Sequence, residues 1–255
     1  MTAEYITSRK NPLLLHARKM LRSRSYRREQ QAFAGEGWKL LGEALTWCAS
    51  ITAVILSEDQ TAPELPDGVR VARVPTDVLA SVSQMEAPQG VIFLCAMPDR
   101  RPLEIRRGSL ILDGLQDPGN VGTILRTADA FDIPLILTDD CAELYNPKTL
   151  RASMGAVFRA DVQTAGRGEI LSELRRQGIP LTVTALTDRA MDVRQADLTG
   201  AVAVGSEGSG VSRELLDAAD QTAIIPMSPR CESLNAATAA SLILWEMKNR
   251  TGKRR

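Results

Sequence analysis

From Leu110 onward, short apolar runs alternate with amphipathic stretches. Leu110–Asp113, Leu135–Thr138, 160–162, 181–185, Ala201–Gly205 and 222–225 are apolar along most of their length, as strands buried on both faces are. Between them, 121–131, 148–157, 168–177, 213–219 and 236–249 carry apolar residues at helical spacing. This alternation predicts a parallel sheet covered on both sides by helices. The N-terminal part reads as a smaller α/β unit of roughly 95 residues, an ordinary domain size. Leu13, Leu14, Met20 and Leu21 among Arg and Lys predict a basic amphipathic helix over 9–31. Strands are expected at 33–37, 52–56, 69–74 and 90–96, with helices at 39–48 and from Thr76, a residue suited to cap its helix. The Pro-bracketed segment Pro98-Asp99-Arg100-Arg101-Pro102 marks a linker. The expected organisation is therefore a domain over 1–97, a linker over 98–107 and a second domain over 108–255.

Charge adds an asymmetry. The 31 basic and 31 acidic residues cancel. Yet residues 1–31 hold eight Lys/Arg against two Glu, while 32–97 hold three basic and eight acidic residues. A basic end on a neutral chain suits a phosphate backbone, or simply a solvated helix face. Arg22, Arg24, Arg27 and Arg28 are the candidate contacts to such a backbone. The four cysteines are scattered and no stretch reads as a signal peptide or membrane span, which fits a cytoplasmic protein with reduced thiols. One histidine, His16, and no paired Cys argue against a zinc site and against Ser-His or Cys-His nucleophiles.

Three strand-end segments carry the candidate chemistry. Asp117-Pro118-Gly119-Asn120-Val121-Gly122 joins a strand to a helix, with Asn120 expected to cap it and Arg126 two turns in. Gly205-Ser206-Glu207-Gly208-Ser209-Gly210 follows a strand and lets backbone approach a ligand closely. Its order differs from the dinucleotide fingerprint G-x-G-x-x-G. Ile225-Pro226-Met227 ends a strand, and Ser233-Leu234-Asn235 opens a helix whose small residues Ala236 to Ser241 suit close packing. Asn146-Pro147 opens another helix, on which Arg151, Ser153 and Gly155 are candidates to line the same cleft.

Taken together, these segments resemble the SpoU (TrmH) family of RNA ribose 2′-O-methyltransferases in the SPOUT superfamily. The matching stretches are Asn120-x-Gly122-x-x-x-Arg126, Val204-Gly205-Ser206-Glu207-Gly208-x-Gly210, and Ile225-Pro226-Met227 with Ser233-Leu234-Asn235. Residues 1–95 are similar to the L30e-like substrate-binding domain of rRNA-modifying members, through Phe33-x-x-Glu36-Gly37 and Glu43. The resemblance implies an α/β SPOUT domain with a deep trefoil knot, preceded by the L30e-like domain. It also implies S-adenosylmethionine as cofactor, held at Gly205, Ile225, Leu234 and Ala185, and a homodimer packed through the C-terminal domains. The implied catalytic group is Arg126, with Asn120, Glu207, Ser233 and Asn235 placing it and the ribose. Arg126 either removes the hydroxyl proton after burial lowers its pKa, or stays charged and orients a phosphate. No metal is implied. The appended N-terminal domain favours 23S rRNA over tRNA as substrate. A ribosome-assembly protein that binds RNA without essential methylation, and a nucleotide-dependent enzyme using 201–212 as a phosphate loop, are the competing readings.

Overall fold

A computed structural model describes residues 3–187, 189–206, 208–228, 230–231 and 233–252. Two compact units emerge. The first comprises residues up to Arg100 together with Tyr145–Phe158, and the second Arg101–Leu144 together with residues from Arg159 on.

The first unit holds β1 (Glu4–Tyr5), α1 (Pro12–Arg22), α2 (Arg24–Gln30), β2 (Ala32–Glu36), α3 (Trp38–Thr46), β3 (Ile51–Ser57), β4 (Arg70–Val74), α4 (Thr76–Val82) and β5 (Val91–Ala96). Its sheet runs in the order β1-β4-β3-β5-β2. β1, β4 and β3 pair parallel, whereas β5 is antiparallel to both β3 and β2. Leu14, Ala17 and Met20 of α1 and Val78 and Leu79 of α4 share a core with Ile55 and Ile92.

The basic segment over 9–31 is two helices rather than one. Ser23 closes α1 and opens α2, its hydroxyl accepting from the Tyr26 N–H, a local bond that competes with helix continuation. This break turns Arg27 inward. It is 2% exposed and Nη1 donates to the Met20 carbonyl at 2.6 Å. Arg27 is therefore a structural anchor and not an RNA contact, while Arg22, Arg24 and Arg28 are exposed. Thr76 is the first residue of α4 and Pro75 occupies the cap position. β1 was not expected, because two residues carry no readable periodicity.

The second unit comprises β6 (Leu110–Asp113), α5 (Pro118–Phe131), β7 (Leu135–Thr138), β8 (Val162–Ala165), α7 (Arg167–Gln177), β9 (Leu181–Thr184), β10 (Met191–Asp192), β11 (Ala201–Gly205), α8 (Arg213–Asp217), β12 (Gln221–Ile224) and α9 (Ala236–Gly252); α6 (Pro147–Ser153) belongs to the first. The seven strands run β10-β12-β9-β11-β6-β7-β8, every pair parallel. This is the α/β architecture expected from the apolar runs. Side chains alternate along a strand. Ile111, Ile136, Val183 and Ala203 meet Ile170 and Leu174 of α7 and Leu215 of α8. α5 and α9 pack on each other, and α9 on β11. Within the 98–107 stretch, Leu103 and Ile105 join the second core, Ile105 at 1% exposed.

α6 stops at Ser153 because Met154 (φ 52°) and Gly155 (φ 89°) turn left-handed, before a 3₁₀ turn at Ala156–Phe158. A side chain at Gly155 would meet Glu43 at 2.4 Å. Tyr145 stacks on Phe33 at 4.5 Å between ring centroids, and Arg151 faces Glu36 at 4.0 Å. Arg151 thus lies beside β2 and Gly155 beside α3, while the buried Ser153 hydroxyl donates to the Leu150 carbonyl at 2.8 Å.

Arg27→Gln is expected to lower the free energy of unfolding by about 2 kcal/mol, the cost of stranding a buried polar partner. Arg28→Gln, an exposed change, should move it by less than about 0.5 kcal/mol. Urea titration measures both, and equal effects would contradict the anchor role.

Candidate functional site

All strands of the second sheet are parallel, so their carboxyl ends share one edge, where open α/β sheets form their clefts. Register sets the positions. Gly205 ends β11 opposite Asp113 of β6, and Val183 of β9 lies between Ala203 and Thr222. A cavity of ≈ 460 Å³ opens there, within the range of small-molecule pockets. Ala185, Gly205, Ile225 and Leu234 line it, together with Val211 and Ile243. The walls are therefore mainly aliphatic side chains and strand-end backbone.

The loop after β11 folds on itself. Ser206 and Gly210 exchange backbone hydrogen bonds of 3.2 and 2.9 Å, and the Ser206 and Ser209 hydroxyls meet at 2.8 Å. A Cβ on Gly205 would lie 2.0 Å from the Gly210 carbonyl carbon and 2.2 Å from the Val211 nitrogen. Glycine is therefore required by the loop's own closure, whatever the cavity holds. Gly210 itself is left-handed, at φ 66°.

The helix caps differ from expectation in one informative way. Asp117, not Asn120, caps α5, its carboxylate accepting from the Asn120 N–H at 2.8 Å with Pro118 in the first turn. The Asn120 side chain is thereby available for another bond: its Oδ1 accepts from Nδ2 of Asn235 at 3.1 Å. Asn235 uses its own Oδ1 to cap α9, accepting from Ala237 and Thr238 N–H at 3.0 and 3.2 Å. That capping bond fixes which end of the amide faces Asn120. Two polar positions 115 residues apart are joined in this way.

Arg126 is exposed on α5, lies outside the cavity lining and makes no hydrogen bond or ion pair with the described residues. Of the two roles open to it, a buried base or a charged orienting group, the single chain shows its guanidinium exposed. Ser233 is exposed and lines the cavity, its carbonyl accepting from Cys231 Sγ at 3.3 Å. Glu207 lies outside the described residues.

Other reactive groups are accounted for elsewhere. His16 Nδ1 meets Tyr26 Oη at 2.8 Å, and burial lowers its pKa. Burial pushes the Cys95 thiol up to about 12 and raises Cys141 as well, so neither is poised as a thiolate. Among the described residues, no group of three or more His, Cys, Asp or Glu could hold a metal ion, and no helix is long and apolar enough to cross a membrane.

Two residues at this edge carry more structure than sequence reasoning gave them. Asp117 was legible, since Asp before Pro at a helix start is a cap signal. Asp113 ends an otherwise apolar strand, and its pairing with Arg167, 54 residues on, has no local signature.

Comparison with known proteins bears on the family and the fold. The family model described as SpoU rRNA Methylase family matches residues 108–245, and that of an MRM3-like substrate binding domain matches 14–92. The 23S rRNA (guanosine(2553)-2'-O)-methyltransferase of Bacillus subtilis (strain 168) is 32% identical over 234 residues, covering 90% of this chain and 94% of that protein. A TrmH-family putative RNA methyltransferase from Porphyromonas gingivalis superposes with a TM-score of 0.84 at 33% identity, over 94% of this chain and 98% of the other. An AdoMet-bound rRNA methyltransferase from Sinorhizobium meliloti gives 0.86 at 27% identity, over 97% and 98%. With its fold, its strand-end motifs and more than half its length matched, this chain belongs to the SpoU rRNA methylase family.

Proposed function

We infer that this chain is an S-adenosylmethionine-dependent methyltransferase that modifies a ribose 2′-hydroxyl in 23S rRNA. The observation that carries the reading is the cavity that Ala185, Gly205, Ile225 and Leu234 line together, at the ends of β9, β11 and β12 and before α9. The residues suit the cofactor: aliphatic side chains can cover an adenine ring, and strand-end N–H and C=O groups can meet its polar edge. In this reading Gly205, Ile225, Leu234 and Ala185 are the cofactor contacts.

The cofactor supplies an electrophilic methyl group on a sulfonium. The protein's part is to hold a ribose hydroxyl in line and to manage its departing proton. Asn120, held by Asn235, and the Ser233 hydroxyl are polar groups that can position the ribose, and Glu207 joins them on its motif alone. Arg126 is the key cation. Its exposure favours the orienting role, a charged guanidinium gripping an RNA phosphate, since an arginine in water keeps its proton. The base role would require burial by a second subunit or by the RNA.

A homodimer through the C-terminal domains supplies such burial. Leu242 and Trp245 of α9 are 44% and 53% exposed, and Trp245 lies 5.8 Å from Phe131 of α5, the helix that carries Arg126. Apolar side chains grouped at a surface mark an interaction site. The trefoil knot belongs to the same reading. Residues 1–97 serve as the RNA-binding domain, joined through 98–107 to the methyltransferase domain over 108–255, although Tyr145–Phe158 of that stretch groups with the first unit and Leu103 and Ile105 of the joining segment with the second core. The match of 14–92 to a substrate binding domain supports this assignment and, with the relatives' rRNA substrates, favours rRNA over tRNA. Four unpaired cysteines support a cytoplasmic location.

Incubation with labelled S-adenosylmethionine and rRNA, followed by alkaline hydrolysis, tests the reaction: label should appear in an uncut dinucleotide, and label in mononucleotides would mean base methylation. Arg126→Ala should lower kcat about 100-fold while leaving cofactor affinity within about twofold. Asn235→Ala should cost about 1 kcal/mol of stability through the lost cap, whereas Asn235→Asp keeps the cap acceptor, loses the donor to Asn120, and should lose activity without that destabilisation. Neutralising Arg22, Arg24 and Arg28 should weaken RNA binding and flatten its salt dependence; unchanged affinity would put the RNA surface elsewhere.

A further inference from the structure

The carboxyl edge of the second sheet holds a charge network, centred on one buried carboxylate, that the proposed reaction does not use. Asp113, the last residue of β6, is 1% exposed. Its Oδ1 accepts from Arg167 Nε at 2.7 Å, and its Oδ2 accepts from the Ser212 backbone N–H at 2.6 Å. Arg167, the first residue of α7, also donates Nη2 to Asp140 at 2.6 Å. Burial opposes the charge on Asp140, but its hydrogen bonds with Thr138 and Arg167 hold its carboxyl below the usual range.

Ser212 is where the loop after β11 ends. At its start the loop is fused to the sheet through Gly205, which pairs with Asp113 across β11 and β6. Its middle is closed by the Ser206–Gly210 bridge. Its far end is held to the strand edge by the bond from Ser212 to Asp113. Gly208, Ser209, Gly210 and Val211, all between these attachments, line the cavity. An ionised carboxylate buried this deeply is costly unless it is paired and hydrogen-bonded, and Arg167 supplies the pairing. Charge-assisted bonds of this kind are about twice as strong as neutral ones.

We propose that Asp113, clamped by Arg167, is a positioning residue that holds the stretch Gly208 to Val211 in its ligand-ready form and thereby sets affinity for S-adenosylmethionine. It does not touch the reacting atoms. This proposal rests on the cofactor reading above. Asp113→Asn keeps the shape but loses the charge and turns one acceptor into a donor, so it cannot satisfy both Arg167 and Ser212. Arg167→Gln, at a side chain 24% exposed, removes the clamp with less risk to folding. Arg176→Gln, on the solvent face of the same helix, is the control.

Cofactor dissociation constants from calorimetry and amide exchange of the cofactor-free protein test it together. Asp113→Asn and Arg167→Gln should each weaken S-adenosylmethionine binding about tenfold, about 1.4 kcal/mol. The double variant should be little worse than the weaker single one, because both act through one interaction. KM for the cofactor should rise with kcat within about twofold. Amides from Ser209 to Ser212 should exchange faster in both variants without cofactor, and Arg176→Gln should match wild type. Wild-type binding with either variant also within twofold, or unchanged exchange at Ser209 to Ser212, would overturn the role of Asp113 alone. Failure of the wild type to bind S-adenosylmethionine would overturn the cofactor reading and the affinity claim with it.

Discussion

The parallel register of β9, β11 and β12 is the constraint on which the site depends. It aligns Val183 with Ala203 and Thr222, so that the chain leaves three neighbouring strands at one edge, next to Ala185, Gly205 and Ile225. Backbone beyond the ladder must find its own hydrogen bonds. It does so by the self-closed loop at Ser206–Gly210 and by helix caps at Asp117 and Asn235. The same groups that settle the backbone leave a cavity lined by aliphatic side chains and by polar groups such as Thr184 and Ser233. A cavity results from ending three parallel strands at one edge, before any side chain is assigned a catalytic role.

Chemistry in this family member must work with few titratable groups. The lone histidine is held by Tyr26 in the first unit, and the buried thiols are raised out of range. The candidate site residues within the described part of the chain are amides, hydroxyls, strand-end backbone and an exposed guanidinium. Such groups act by orientation and by stabilising charge rather than by proton exchange near neutral pH. The bond between Asn120 and Asn235 shows how this is arranged, since a cap that stabilises α9 also aims an amide at α5.

Much of this was legible in the residues. Near-continuous apolar strands such as Leu110–Asp113 and Ala201–Gly205 fall where their pattern predicts, because burial on both faces leaves little freedom in composition. β1 and β10 were not legible, each being two residues with no period. Arg27 read as a surface charge because a hydrophilic heptapeptide gives no hint that its central residue turns inward after a Ser break. Asn120 read as a cap, yet Asp117 three residues earlier competes for that place and wins with Pro118 behind it. The packing of Tyr145–Phe158 with β2 and α3, and the reach of Arg167 to Asp113, are long-range contacts with no local trace.

The most direct measurement is a crystal structure of the protein grown with S-adenosylmethionine. The account requires the donor in the cavity at the carboxyl ends of β9, β11 and β12, against Gly205, Ile225 and Leu234, with its methyl group facing the Asn120–Asn235 pair. Donor bound at another edge of the sheet, or that cavity empty at saturating donor, would contradict it.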